Sequence, residues 1–327
     1  MPLQRRTFNT ALVGSALTAM APSLRAQAAF PARPVTIVVG YPAGGPTDIY
    51  ARALAKGLSD LWKQPVLIEN RAGASGSIAG SQVLRAVPDG HTLLFTNNAA
   101  NGAYELLNPT RAPYRTLRDF SAVALFGISP SMMVVRASLP AKDAKEFVAM
   151  AKADPGKLSY GSSAIGSAPH LACELFQSVA GIKLLHVPFS GAAPLISALL
   201  GGTIDMYVGG ASTVMGHVRS GKLRAIGAVH SRRLVSAPEI PTLGEQGFKV
   251  EYASWFGLLA SNQVPAPLLD QINADCRKVM AGAELKAQVE KFGVEYTDDD
   301  RSQFLQVVRE EIERAGKVIT DAKITQE

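Results

Sequence analysis

Tyr41-Pro42-Ala43-Gly44-Gly45-Pro46-Thr47-Asp48 separates two patterns of different period. Before it, Pro34-Val35-Thr36-Ile37-Val38-Val39 is an apolar, β-branched run, the pattern of a strand buried on both faces. After it, Ile49, Ala53 and Leu61 keep helical spacing, as do Tyr50, Leu54 and Leu58. The stretch is therefore a strand-to-helix turn. Gly44 and Gly45 free the backbone, Pro46 suits the first helical position, and Asp48 falls in the positively polarised first turn. The N–H groups at such a helix start have no partner inside the helix and can hold an anion. A plain tight turn with Asp48 as a local cap would use the same residues. Recurrence of the pattern along the chain favours the anion site.

Residues 65–69 read as a second strand, followed by the loop Asn70-Arg71-Ala72-Gly73-Ala74-Ser75-Gly76 and a helix over 77–86. A third strand over 91–96 ends in Asn97-Asn98-Ala99-Ala100-Asn101. Residues 120–126 read as a fourth strand, 132–135 as a fifth, and 141–153 as a helix stopped by Asp154-Pro155-Gly156. The pattern then restarts. A strand at Leu158-Ser159-Tyr160 leads into Gly161-Ser162-Ser163-Ala164-Ile165-Gly166-Ser167 and a helix. A strand at 184–187 leads into Phe189-Ser190-Gly191-Ala192-Ala193 and a helix over 194–200. Strands at 204–208, 223–229 and 252–260 follow, with a helix at 212–219 between the first two. From 265 onward the chain is helical: one helix to 280, a shorter one to 292 and a last one over 299–322. Alternating strands and helices imply an α/β protein with parallel sheets, in which ligands sit beyond the carboxyl ends of the strands. Each small-residue turn falls at such an end, and turns from two series point to one ligand held between two lobes.

The chain has 327 residues, 47% hydrophobic and 18% charged, enough for two domains with sizeable cores. Its formal charge is +6 without any Lys/Arg tract, which argues against a nucleic-acid partner. Residues 1–28 read as a signal peptide. Arg5-Arg6 precedes an apolar run over 11–21 and the small-x-small pattern Ala26-Gln27-Ala28. Arg5-Arg6-Thr7-Phe8 also matches part of a twin-arginine signal. The run is too short to span a bilayer, so the expectation is an exported, soluble protein. Cys173 and Cys276 are the two cysteines, far apart and each among apolar neighbours, and are expected to be free.

Several chemistries are missing. None of the 29 glycines forms Gly-x-Gly, so there is no dinucleotide fingerprint. Gly216-His217-Val218-Arg219-Ser220-Gly221-Lys222-Leu223 imitates a P-loop but has Leu where the Mg²⁺-binding hydroxyl belongs, and it runs from helix to strand. No metal-binding spacing and no Gly-x-Ser-x-Gly elbow occurs, so neither a metal nor a cofactor is expected. His170 falls in the first turn of a helix beside Ser163 and Ser167, where it either faces a ligand or is a hydrogen-bonded structural histidine. Asp205, an acid in an apolar strand, needs a partner: a structural one or a polar group of a ligand.

In order, the chain carries Tyr-Pro-Ala-Gly-Gly-x-x-Asp, Glu-Asn-Arg-x-Gly-Ala-x-Gly, Gly-Ser-Ser-x-x-Gly-Ser-x-x-His-Leu, Val-Pro-Phe-x-Gly and Gly-Gly-Thr-Ile-Asp. From about residue 30 to the end it resembles the extracytoplasmic solute receptors of tripartite tricarboxylate transporters, the Bordetella uptake gene (Bug) family. The resemblance implies a type II periplasmic binding protein fold, two α/β lobes joined by two crossing strands near 128–134 and 252–257. Lobe 1 would take 29–128 and 257–327, and lobe 2 would take 129–256. It implies a periplasmic, monomeric, non-enzymatic receptor that captures a small carboxylate and delivers it to a two-subunit membrane permease. By position it points to Tyr41, Gly44, Gly45, Ser75, Asn98, Ser163, Ser167, His170, Ser190, Gly191 and Asp205 as ligand-binding residues. Phe189-Ser190 departs from the Tyr-Lys often found before this glycine. A sensory receptor on the same scaffold, docking a membrane sensor, would look the same in sequence. An exported hydrolase using Ser163 or Ser167 with His170 is a third reading.

Overall fold

In the computed structural model, which describes residues 30–291 and 293–325, the first apolar run is β1 (Val35–Val39), with four of its five side chains buried. It lies between β2 (Val66–Asn70) and β3 (Thr92–Asn97), parallel to both. Its alternate residues enter two different cores, as a strand covered on both faces must. Val35, Ile37 and Val39 pack under α1 (Pro46–Trp62) and α9 (Ala266–Met280). Val38 packs with α2 (Ser77–Arg85) and with the long last helix, α11 (Arg301–Asp321). On α1 the buried stripe is Tyr50, Leu54 and Leu58 with Ala51 and Ala55, whereas Ile49 is exposed.

The expected fourth and fifth strands are one, β4 (Phe120–Arg136). Gly127 and Pro130 fall between the two expected runs, but the ladder with β9 (Ala253–Ser261) continues through both, with register shifts at 122/124 and 125/127. Gly127 has φ +158°, and a Cβ there would meet the Glu295 carbonyl oxygen at 2.7 Å, so only glycine fits this kink. The first part of β4 pairs with β9, and its end at 131–136 pairs with β7 (Met206–Gly210) on one side and β8 (Leu223–Val229) on the other. β5 (Ser159–Ser162) and β6 (Leu185–Pro188) complete a nine-stranded sheet in the order β2-β1-β3-β9-β4-β7-β5-β6, with β8 on β4. The sheet therefore has two halves that share β4. Each is mixed rather than wholly parallel, because β4, β8 and β9 run against their neighbours.

In the second half, α5 (Ala144–Ala153) and α6 (Ala168–Ala180) cover one face, and α7 (Ala192–Leu200) and α8 (Ala211–Arg219) the other. The short α3 (Tyr104–Leu107) and α4 (Thr116–Asp119) lie between β3 and β4, and α10 (Ala283–Lys291) follows α9. The capping box of Asp300 and Gln303 starts α11. Its Phe304 and Val308 share a core with Trp255 and Leu259, while its Ala315 and Val318 share one with Cys173 and Phe176. Cys173 and Cys276 are buried and free, each in a different core. The expected signal peptide lies outside the described residues. No described helix is long and apolar enough to cross a membrane.

Candidate functional site

Three helices begin at one cleft. The residues flanking their first turns are Gly45 for α1, Ser167 for α6 and Gly191 for α7, and none makes a side-chain capping bond. All three border a cavity of about 560 Å³, joined by Thr47, Ala168 and Ala192 from the first turns. Pro46 opens α1 and Pro169 lies in the first turn of α6, positions where a missing N–H costs nothing. The remaining first-turn N–H groups have no acceptor within their helices, and three positive helix ends face the same space.

The first half of the sheet supplies Tyr41, Ser75, Asn97, Asn98 and Tyr104. Asn97 ties its loops together: Oδ1 accepts from Tyr41 Oη at 2.8 Å and from the N–H groups of Ala99 at 3.0 Å and Ala100 at 3.3 Å, while Nδ2 donates to Thr47 Oγ1 at 3.4 Å. Burial pushes the Tyr41 phenol up to about 12, against the opposing hydrogen bond to Asn97, so it remains a donor at neutral pH. The second half supplies 163–169, Gly191 and Ala192. Leu107 reaches across from the first half: a Cβ on Gly166 would lie 2.0 Å from its Cδ1. Leu107, Ile165 and Phe256 make part of the wall apolar, and among the described residues the lining contains no Asp, Glu, Lys, Arg or His. Any attraction for an anion therefore comes from peptide dipoles and hydroxyl groups.

Residues 50–324 match the family model described as "Tripartite tricarboxylate transporter family receptor". The chain belongs to this receptor family. BugT of Bordetella pertussis is 34% identical over 267 residues, 81% of each chain. A Pseudomonas sp. UPF0065 protein in the tcbD-tcbE intergenic region is 33% identical over 96% of this chain and 94% of its own. Among solved structures, R. palustris Rpa4515 with adipate superposes with TM-score 0.80 at 29% identity, covering 90% of this chain and 99% of that one. MatC from Rhodopseudomonas palustris, with bound malate, does so with TM-score 0.76 at 31% identity, over 89% and 100%. The fold is that of the periplasmic binding proteins, as the motif order implied.

In this tricarboxylate-receptor family member, Tyr41, Gly45, Ser75, Asn98, Ser163, Ser167 and Gly191 come together at the cavity. Gly44, His170, Ser190 and Asp205 lie outside its lining. Gly44 is turned outward at φ +84°, and its N–H donates to Asp48 Oδ2 at 2.9 Å. The Ser167 N–H is also engaged, by Ala164 O at 3.2 Å, and the Gly191 N–H by Ser163 O at 3.1 Å, so at α6 and α7 the donors without a helical acceptor sit one or more residues further in. Ser190 is exposed beside the cleft. Asp205 sits just before β7, where it accepts from Arg136 Nε at 2.8 Å and from the Ser159 N–H at 2.8 Å: a structural acid joining β4 to β5.

His170 lies behind the wall. Its Nδ1 accepts from the Gly166 N–H at 2.9 Å, and its ring stacks on His186 at 4.0 Å, which stacks on Tyr160 at 4.8 Å. Burial first, then the neighbouring His186, lower its pKa to about 3, so it stays neutral and holds the Gly166 turn. No Ser167–His170 pair forms, because Ser167 Oγ donates to Ala164 O at 2.7 Å. Two serine–histidine contacts do exist among the described residues: Ser162 Oγ to His186 Nε2 at 2.7 Å is closed to substrate because Ser162 is fully buried, and Ser231 Oγ to His230 Nδ1 at 3.2 Å joins sequence neighbours outside the cavity lining. Sequence reasoning missed Thr47, Asn97, Tyr104, Leu107, Ile165 and Phe256 as lining residues. Thr47, Asn97 and Ile165 were within reach, since each is part of a small-residue turn at a strand end.

Proposed function

We propose that the chain is the extracytoplasmic receptor of a tripartite tricarboxylate transporter, capturing a small organic carboxylate between two lobes and delivering it to a two-subunit membrane permease without chemical change. The observation that carries this reading is the convergence of three uncapped helix starts on a cavity whose lining, among the described residues, has no charged side chain. A hydrogen bond to a charged group contributes about 1.5–3 kcal/mol, so several together hold a carboxylate without an arginine clamp. Tyr41, Gly45, Ser75, Asn98, Ser163, Ser167 and Gly191 are the proposed contacts, with Thr47 and Asn97 added from the cavity lining. The adipate and malate bound by relatives of the same fold are carboxylates of suitable size. Export is read from residues 1–28, the receptor working as a periplasmic monomer. The lobes are taken as 29–128 with 257–327, and 129–256. They close on the ligand, and small-angle scattering would record a smaller radius of gyration.

The test is a melting-temperature screen of ligand-stripped protein with adipate, malate, citrate, L-glutamate and benzoate. A ligand at about 100 times its Kd stabilises the folded state by about 2.7 kcal/mol. At least one acid should raise the melting temperature, and Gly45→Val should abolish the rise. A flat response to every acid would overturn the reading.

A further inference from the structure

Phe304, Val308, Ala315 and Val318 form a buried stripe along α11 at intervals of four, seven and three residues, and Glu311 occupies the middle of that stripe. A leucine would be the inexpensive choice there, since a carboxylate out of water must be fully hydrogen-bonded to be tolerated. Glu311 is 5% exposed, Asn98 3% and Tyr252 2%. Asn98 Nδ2 donates to Glu311 Oε1 at 3.0 Å, and the Tyr252 hydroxyl also bonds to Glu311. Asn98 borders the cavity, and Tyr252 immediately precedes β9, where the chain passes from one half of the sheet to the other. Asn98 Nδ2 also reaches Ala253 O at 3.4 Å. One turn on, Arg314 lies 3.9 Å from Glu311 and donates to Glu251 O at 3.2 Å.

The same helix backs the whole segment that Asn98 begins. Ile312 Cγ1 lies 3.5 Å from where a Cβ on Gly102 would stand, and Leu106 Cδ1 lies 3.8 Å from the equivalent point on Gly316. Asn98, Ala99, Tyr104 and Leu107 all face the cavity. We propose that Glu311 is a positioning residue for ligand binding: it fixes Asn98 and the 98–107 segment against the crossing at 251–253, so affinity depends on a side chain that never meets the ligand. The inference rests on the receptor reading and adds to it a second layer that joins the pocket to the crossing.

The experiment compares Glu311→Leu, which fills the space but takes the carboxylate acceptor from Tyr252 and leaves Asn98 Nδ2 only the longer bond to Ala253 O, with Glu311→Gln, whose carbonyl still accepts. The probe is whichever of adipate, malate, citrate, L-glutamate and benzoate gives the largest melting shift with the unaltered protein. Its affinity is measured by calorimetry at a temperature where all variants are folded. Loss of one bond to a charged acceptor corresponds to about tenfold. Glu311→Leu should weaken binding by about tenfold or more, with Glu311→Gln restoring it to within about threefold. Amide exchange over 98–107 should quicken in Glu311→Leu and return in Glu311→Gln.

A lower melting temperature with unchanged affinity and unchanged exchange over 98–107 would make Glu311 merely structural and overturn the proposal. Should Glu311→Leu not fold, Glu311→Ala, which also removes the acceptor, and Asn98→Ala are combined. Additive effects on affinity would then overturn it, and non-additive effects support it. Silence of the unaltered protein towards every acid would instead overturn the receptor reading itself.

Discussion

The backbone N–H of Gly44 donates to Asp48 Oδ2 at 2.9 Å, which folds the glycine turn back onto the helix it starts. The same carboxylate accepts from Arg52 Nε at 2.9 Å and Asn70 Nδ2 at 2.8 Å, joining the helix after β1 to the end of β2. Burial alone would raise its pKa, but the bonds from Arg52, Gly44 and Asn70 outweigh that and hold it at about 2. The folded value lies below the unfolded one of 3.8, so the stabilisation is present above pH 3.8 and is lost as the pH falls through about 2. Asp48→Ala should cost on the order of 2–3 kcal/mol at neutral pH. In urea titrations, its midpoint and that of the unaltered protein should converge as the pH is lowered from about 5 towards about 2.

The two glycines of the turn differ in kind. Gly44 has φ +84° with no atom within 4 Å of an added Cβ, so Gly44→Ala meets backbone strain and nothing else. It should cost about 1 kcal/mol. Gly45 has φ −77°, and a Cβ there would sit 3.5 Å from Pro42 O, an ordinary contact. Gly45→Ala should leave the melting temperature nearly unchanged. Because Gly45 borders the cavity, a loss of affinity without a loss of stability would place the ligand at that point. Calorimetric melting alongside titration with a binding acid checks both variants.

The strand-to-helix turns were legible because each depends on neighbours in sequence: β-branched runs, then glycine, serine or asparagine, then helical spacing. The Leu223–Val229 strand has the expected boundaries, and α1, α6 and α7 begin within two residues of the turns that announce them. What failed depends on pairing at a distance. Nothing local tells that β4 continues past Gly127 and Pro130, since its continuity comes from β9, more than a hundred residues later. Asn98 was chosen over Asn97 from the same run, yet Asn97 Oδ1 is the one that binds Tyr41 and two amides. Tyr104, Leu107 and Phe256 line the cavity from a short helix and a crossing strand, neither of which carries a turn motif.

Arg71 and Asp205 separate charge from binding. Arg71 is more than half exposed and donates through Nε to Glu69 Oε1 at 2.7 Å, outside the cavity lining. An exposed pair of this kind contributes about 0–1 kcal/mol, so Arg71→Ala should change neither stability nor affinity much. Asp205 is the opposite case. Asp205→Ala removes the acceptor for Arg136, for the Ser159 N–H and for Ser159 Oγ at 3.1 Å. It should destabilise by about 1–3 kcal/mol while leaving the affinity of the folded protein intact. If Arg71→Ala abolished binding with Gly45→Val harmless, a side-chain salt bridge would replace the peptide-dipole cradle.

His170 makes the stability of the second half depend on pH in a direction that can be worked out. Its Nδ1 is already the acceptor for the Gly166 N–H, so a proton added there breaks that bond and charges a buried ring stacked on His186. The folded pKa of about 3 lies below the ordinary 6.5, so the unfolded chain takes up the proton first. The stability contribution is complete above pH 6.5 and is lost as the pH falls from there towards about 3. One such group gives a slope of about 1.4 kcal/mol per pH unit in that window. His186, also lowered by burial, adds to it. His170→Gln keeps a carbonyl acceptor and has no proton to gain. Its unfolding free energy, measured by urea titration between about pH 6.5 and pH 4, should therefore fall less steeply than that of the unaltered protein. Equal slopes would mean that His170 is solvated and that the Gly166 turn is held by something else.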